Sequence, residues 1–350
     1  MEEKKKTARE IIEGYDGPPV RIMEVCGTHT HEIFRLGIRK LLPEQVELIS
    51  GPGCPVCVTQ VGFIDEAIYL ALERQVTICT FGDLVRVPGT NMSLAGAREK
   101  GAKIRIVYSP VDAKEYAKEH PKEQVTFLSV GFETTTPSAC LSVKKAREED
   151  LTNYSILTAN KTMPQAYEAL KGSADIFLYP GHVNAITGTK LCEELAKEGV
   201  SGVVAGFTAK ELLTALAVAL ARFQEGRPFF VNCYPRVVTE NGSPQAQKLV
   251  EEMMEPCDSE WRGLGVIKGS GMRLQEEWSA FDARKKYKIS RFREKQILHA
   301  GAEMFFRENV NLLIVRYLVR SVHHSIRLAH AWCQEKVHVP RTICTAKQRK

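Results

Sequence analysis

The sequence predicts an α/β protein of two similar domains with mainly parallel sheets and crossover helices. A small C-terminal region, irregular or helical, follows them. Three observations carry this. Short β-branched runs alternate with amphipathic helical stretches over the first 230 residues. Each run ends in a turn rich in Gly or Pro. The runs fall into two sets of four, separated by the charged spacer AKEYAKEHPKEQ. Such alternation is the pattern of parallel strands joined by crossover helices.

The first set is Val20–Val25, Val46–Ser50, Val76–Phe81 and Lys103–Tyr108, and the second is Val125–Val130, Tyr154–Ala159, Asp175–Pro180 and Val200–Phe207. The region of Pro121 is the natural boundary. It gives a first domain over residues 1–120, a second over 121–237 and a C-terminal region over 238–350. Ligands of such sheets bind beyond the carboxyl ends of the strands. The notable motifs lie there, so their loops are expected to converge on a cleft between the domains.

Composition narrows the class. Among 350 residues, 44% are hydrophobic and 26% charged, as in ordinary globular proteins. The richest apolar stretch, Leu212 to Ala221, is too short to span a bilayer and is flanked by Lys210 and Arg222. The N-terminus MEEKKKTAREIIEGY has no apolar signal region, so a cytoplasmic location with no membrane attachment is expected. The net charge of +6 comes from the basic last sixty residues, and no nucleic-acid footprint is read from it. Ten cysteines in that compartment point to metal or redox chemistry rather than disulfide scaffolding. Cys79, Cys140 and Cys192 sit in apolar patterns and read as small buried hydrophobes.

Three strand-end loops carry the chemistry. In Cys26-Gly27-Thr28-His29-Thr30-His31 a cysteine precedes a helix, whose N-terminus favours the thiolate, the form that attacks electrophiles and binds metals. His29 and His31 are candidate ligands or proton acceptors; equally, the segment is a structural turn with solvent-facing histidines. In Gly51-Pro52-Gly53-Cys54-Pro55-Val56-Cys57 two cysteines have the spacing that closes a disulfide or shares one metal ion. No second CxxC or HxxxH completes a structural zinc site, which favours redox chemistry or a shared, incomplete metal site. In Gly131-Phe132-Glu133-Thr134-Thr135-Thr136-Pro137 the threonines and Pro137 suit a helix start, leaving Glu133 as the functional candidate. Lys161 and His182, in similar loops, are candidates to line the same cleft.

In order and spacing, CGTHTH, GPGCPVC, GFETTTP, PGHV and the run from Trp261 to Ala283 resemble the HypD family of nickel–iron hydrogenase maturation factors, over about residues 15 to 288. The resemblance implies two α/β domains and a cysteine-rich C-terminal region with a [4Fe–4S] cluster. It implies a complex with the small chaperone HypC, carrier of an Fe(CN)2(CO) fragment, and cyanide supply by HypE with HypF. By motif, Cys26 is the implied iron ligand, Cys54 and Cys57 the redox-active and metal-binding pair, and His29 an essential neighbour. Soft thiolates suit the low-valent iron that carbonyl and cyanide require. The function so implied is that of a scaffold and redox participant rather than a free-substrate enzyme. The alternatives are a CxxC thiol oxidoreductase without iron, and an α/β enzyme with Cys26 as nucleophile and His29 as base.

The tail departs from the family. After Lys288 only Cys333 and Cys344 remain, too few for the four thiolates of a [4Fe–4S] cluster. Reading each codon as the third base of one and the first two of the next permits Cys-Arg-Cys at Ala300 to Ala302. It also permits family-like cysteine motifs over Val310–Val322 and Ala331–Ile343. A single-base insertion or deletion between the codons for Lys288 and Ala300 accounts for this. The competing account is a divergent amphipathic helix with Phe305, Leu312, Leu313 and Val319 on its apolar face. Under the frame displacement, the written tail was never selected to pack.

Overall fold

The computed structural model describes residues 6–289. The eight expected strands are present: β1 (Val20–Glu24), β2 (Val46–Ser50), β3 (Thr77–Thr80), β4 (Ile104–Ile106), β5 (Val125–Gly131), β6 (Tyr154–Asn160), β7 (Ile176–Pro180) and β8 (Ser201–Ala205). Three more follow, β9 (Phe230–Asn232), β10 (Met254–Trp261) and β11 (Gly265–Leu274). Two sheets are wholly parallel, with strand orders β2-β1-β7-β8-β9 and β4-β3-β5-β6, and crossover helices link their strands.

The strands are not grouped by a boundary at Pro121. The first sheet takes β1 and β2 from one side of it and β7 to β9 from the other. The chain leaves that sheet after β2, builds the whole second sheet, and returns at β7. Hydrophobic runs mark where strands exist, but not which strands exchange hydrogen bonds, so the division by sequence order does not describe the pairing. The two sheets are joined by the segments after β2 and after β6, and these segments carry GPGCPVC and Asn160-Lys161-Thr162-Met163.

Each sheet buries both faces, as parallel sheets do. Alternate residues of the first sheet divide between two cores. Ile22, Leu48, Ile176, Leu178 and Val203 pack against helix Ala209–Phe223. Met23, Phe177, Tyr179 and Val204 pack with Met163, Tyr167 and Leu195 on the other face. The second sheet does the same with Ile78, Leu128 and Leu157 on one side and Cys79, Phe127 and Ile156 on the other. Cys79, Cys140 and Cys192 are fully buried, as their apolar patterns suggest. The apolar run within helix Ala209–Phe223 is a core helix, capped by Thr208 and Glu211. No helix among the described residues is long and apolar enough to cross a membrane.

The expectation of an irregular or helical C-terminal region needs correction in its described part. After helix Pro244–Met253 comes the antiparallel hairpin β10–β11. Its turn uses Gly263 and Gly265 at φ +86° and +76°, a region glycine occupies at little cost. Residues 276–286 then return to the second sheet, where Arg284 pairs with Glu66 at 2.7 Å and donates to the Thr158 carbonyl at 2.9 Å. The expectations for the tail, including the displaced frame and the helix through Phe305 and Val319, lie outside the described residues.

Candidate functional site

In each sheet the strand order reverses direction once, between β1 and β7 in the first and between β3 and β5 in the second. Such switch points open a crevice at the carboxyl ends of the strands. β1 ends at Cys26 and β7 at Pro180-Gly181-His182; β3 ends near Asp83 and β5 at Glu133.

Two of the motif loops pack backbone on backbone. The Gly27 amide donates to the Gly53 carbonyl at 2.9 Å, and the Gly51 amide to the Glu24 carbonyl at 2.9 Å. A Cβ on Gly53 would lie 2.1 Å from the Cys26 nitrogen, so no other residue fits there. A Cβ on Gly27 would lie 3.1 Å from that of Cys54. The glycines of CGTHTH and GPGCPVC therefore allow Cys26 and Cys54 to sit side by side. Glu24 fixes this arrangement from below. Its fully buried carboxylate accepts from Thr30 Oγ1 at 2.7 Å, from Ser50 Oγ at 3.2 Å and from Arg39 at 2.7 Å. One carboxylate thus ties the helix after Cys26 to the strand that precedes the CxxC loop.

The three thiols are in different states. Cys54 and Cys57 are free, with their sulfurs 2.7 Å apart, and the Cys57 amide donates to Cys54 Sγ at 3.3 Å. Exposed Cys57 is the readier thiolate: its pKa is lowered by a hydrogen bond from Cys54 and by the charge of Arg262. Cys54 is correspondingly held well above the usual thiol range. Cys26 corrects the expectation of an activated thiol. It stands before helix Gly27–Arg35, and the amides of His29 and Thr28 do favour its thiolate. Burial outweighs them, and the thiol is pushed up to about 11.

His29 is not solvent-facing. It is fully buried beside Phe207, at 4.7 Å between ring centroids, and its Nε2 lies 3.0 Å from the Gly206 carbonyl. A carbonyl only accepts, so Nε2 carries the hydrogen and Nδ1 keeps its lone pair. Burial lowers the pKa of His29 to about 4, so the ring is neutral. Nδ1 has no hydrogen-bond partner among the described residues. His182 also stacks on Phe207, at 3.9 Å between ring centroids. His31 is half-buried, 3.3 Å from Glu32.

Glu133 Oε1 accepts the Met163 amide at 2.8 Å. Its Oε2 is shut off from solvent and has no partner among the described residues. Burial pushes its pKa up to about 7. Lys161 is buried in the lining of a small cleft with Asn160, Cys257 and Arg284, and it donates to Ser259 Oγ at 2.6 Å and to the Glu260 carbonyl at 2.7 Å. It thereby anchors the hairpin, whose Arg262 amide bonds the Val58 carbonyl at 2.9 Å and whose side chain stands by Cys57. Thr136 and Pro137 begin helix Thr136–Glu148, as expected of a helix start.

Two residues went unread in the sequence. Asp83, raised to about 6 by burial, bears on both Cys54 and Cys57. Its place just after the run Val76–Phe81 was the available signal. Arg262 comes from a hairpin with no strand-like alternation. Among the described residues no group of three or more His, Cys, Asp or Glu side chains is arranged to hold a metal ion. Cys26, Cys54 and Cys57 are therefore neighbours without forming a ready-made cage.

Comparison with known proteins gives a consistent result. The family model HypD, described as "Hydrogenase formation hypA family", matches residues 2–304. Hydrogenase maturation factor HypD of Rhodobacter capsulatus is 43% identical over 277 residues, covering 77% of this chain and 74% of that one. The protein of the same name from Escherichia coli K12 is 42% identical over 273 residues, covering 76% and 73%. That of Cupriavidus necator is 40% identical over 290 residues, covering 79% and 76%.

Proposed function

Since this chain belongs to the HypD family of hydrogenase maturation factors, we propose that it acts in hydrogenase maturation as the scaffold and redox partner on which the Fe(CN)2(CO) centre is assembled. Cys26 binds the iron, and the Cys54–Cys57 pair supplies electrons. HypC delivers the iron fragment, and HypE, charged by HypF, supplies cyanide.

The observation that supports this reading is the backbone contact of Gly53 on Cys26, which packs the segment of a buried soft thiol against the loop that carries the two free thiols Cys54 and Cys57. A buried thiol held near 11 stays protonated until a cation replaces its proton, so Cys26 is selective for a metal rather than for passing electrophiles. The carbonyl and two cyanides fill three of the iron's coordination positions, and Cys26 supplies one of those that remain. Oxidation of Cys54 and Cys57 to a disulfide releases two electrons and two protons. Arg262 favours the Cys57 thiolate, and Asp83, near its own pKa at neutral pH, is placed to take up a proton.

Iron analysis of anaerobically purified protein, co-produced with HypC, HypE and HypF, tests the reading. About one iron per chain is expected in the wild type, and none in Cys26→Ala. Iron retained by that variant would remove Cys26 as the ligand. A CxxC oxidoreductase without iron is the second reading, favoured by the exposure of Cys57. Sustained turnover of a small disulfide by iron-free protein would support it. Acyl transfer by Cys26 with His29 as base fits poorly, since His29 Nε2 is committed to the Gly206 carbonyl and the ring resists protonation.

A further inference from the structure

Cys54 and Cys57 lie with their sulfurs 2.7 Å apart, but the fold presents them differently. Cys57 is exposed, whereas Cys54 is half-buried. Two packings hold Cys54 back. A Cβ on Gly27 would lie 3.1 Å from that of Cys54, and Cys54 packs against the core of Val56, Phe63 and Leu84. Its sulfur also accepts the Cys57 amide at 3.3 Å. Thiol–disulfide exchange depends on which sulfur an incoming thiolate can reach. Of this pair, Cys57 is the sulfur open to a partner as large as a protein.

The hairpin β10–β11 braces that end of the pair. Its Arg262 amide donates to the carbonyl of Val58, the residue after Cys57, at 2.9 Å. The residues before Arg262 are themselves fixed. Trp261 is buried, stacks on Phe132 at 5.7 Å and donates to Ser270 Oγ at 2.8 Å. Lys161 holds Ser259 and the Glu260 carbonyl. The residue so placed carries a guanidinium, whose charge favours the Cys57 thiolate after the larger effect of the Cys54 hydrogen bond. A fixed cation beside the reachable sulfur favours both an incoming thiolate and the thiolate later released.

A pair that has delivered two electrons is a disulfide and must be reduced before it acts again. We propose that an external protein dithiol reduces it by attack at Cys57, with Cys54 as the thiol released first and Arg262 as the residue that positions the exchange. This rests on the reading of the pair as electron source. The donor's first thiolate bonds to Cys57 Sγ and breaks the Cys54–Cys57 bond, and Cys54 leaves as a thiolate that takes up a proton. The donor's second thiol loses its proton, attacks the donor sulfur of the mixed disulfide and releases Cys57. The donor ends as a disulfide, and the pair has gained two electrons and two protons.

Thioredoxin, a protein dithiol, is the probe, used with the full-length chain. Thioredoxin and its reductase should restore both thiols of the oxidised wild type. Cys54→Ser and Cys57→Ser are then mixed with thioredoxin activated at its attacking cysteine as a thionitrobenzoate disulfide. Cys54→Ser should form the protein–protein disulfide about tenfold faster than Cys57→Ser, with the bond mapped to Cys57. Equal rates, or faster capture through Cys54, would overturn the proposal. In the Cys54→Ser background, Arg262→Met should slow capture about tenfold and Arg262→Lys should restore most of it. A rate indifferent to Arg262→Met would overturn the role of Arg262. Oxidised wild type that dithiothreitol reduces and thioredoxin does not would overturn the proposal and leave the pair's redox role standing. A pair that forms no disulfide would overturn both, while Cys26 as iron ligand is judged separately by iron content.

Discussion

Replacing Gly53 by alanine separates the two thiol loops with the smallest possible change. The added methyl would lie 2.1 Å from the Cys26 nitrogen, 2.3 Å from its Cα and 2.4 Å from the Val25 carbonyl carbon. Ordinary carbon contacts begin near ~3.5 Å, so the loops must part by more than about 1 Å. All three atoms belong to backbone, so no side chain can rotate away. The hydrogen bond from the Gly27 amide to the Gly53 carbonyl is also stretched. Overpacking of this kind costs about 1–3 kcal/mol and the lost hydrogen bond about 1 kcal/mol. Urea denaturation of Gly53→Ala should therefore show a loss of about 2–4 kcal/mol, within the stability of a typical domain. Gly96→Ala is the control: its methyl would meet only Met92 Cβ at 3.4 Å, inside helix Leu94–Glu99. It should be neutral or up to about 1 kcal/mol stabilising. A Gly53→Ala protein with unchanged stability would refute the contact on which the site is built.

Other expectations follow from charge and burial. Iodoacetamide near neutral pH should label Cys57 well before Cys26, because Cys57 is exposed and lowered while Cys26 is buried and held near 11; the reverse order by peptide mapping would contradict the assignment. Glu133 binds its proton more tightly in the folded chain than in the unfolded one, with a pKa near 7 against an ordinary 4.5. Between those values the native state holds the extra proton, so stability falls as pH rises from 4.5 to 7, by about 1–3 kcal/mol from this group. Glu133→Gln should flatten that slope in denaturation curves measured across the window, and an unaltered slope would place the titration elsewhere. Glu24→Gln weakens the ion pair with Arg39, which is 41% exposed at its own end. It should cost about 2–4 kcal/mol in chemical denaturation, and a loss below about 0.5 kcal/mol would show that Glu24 does not hold the loops together.

Some of this was legible in the sequence. Eight strands were, because parallel strands buried on both faces give β-branched runs that end at glycine or proline. The strand-end position of the thiol loops follows from the same pattern. The partnership of β1 with β7 was not, since 150 residues separate them and the second sheet intervenes. The hairpin β10–β11 escaped because its burial does not alternate cleanly: exposed Gly265 and Val266 stand beside buried Ile267, and the register shifts between Cys257 and Ser259. The state of Cys26 could not be read locally. A helix N-terminus is visible in sequence, whereas the burial that outweighs it depends on the folded core, where neighbouring Val25 packs in one cluster with residues as distant as Met163 and Trp261.

The most direct test of the account is the infrared spectrum of the anaerobic, co-produced protein with each thiol altered in turn. Wild type should show stretching bands of metal-bound cyanide and carbonyl, and Cys26→Ala should show none. Cys57→Ser should still accept iron, because the buried thiol is intact, while losing the electrons of the dithiol pair. Bands that survive in Cys26→Ala would contradict the claim that this cysteine carries the iron on which the hydrogenase centre is built.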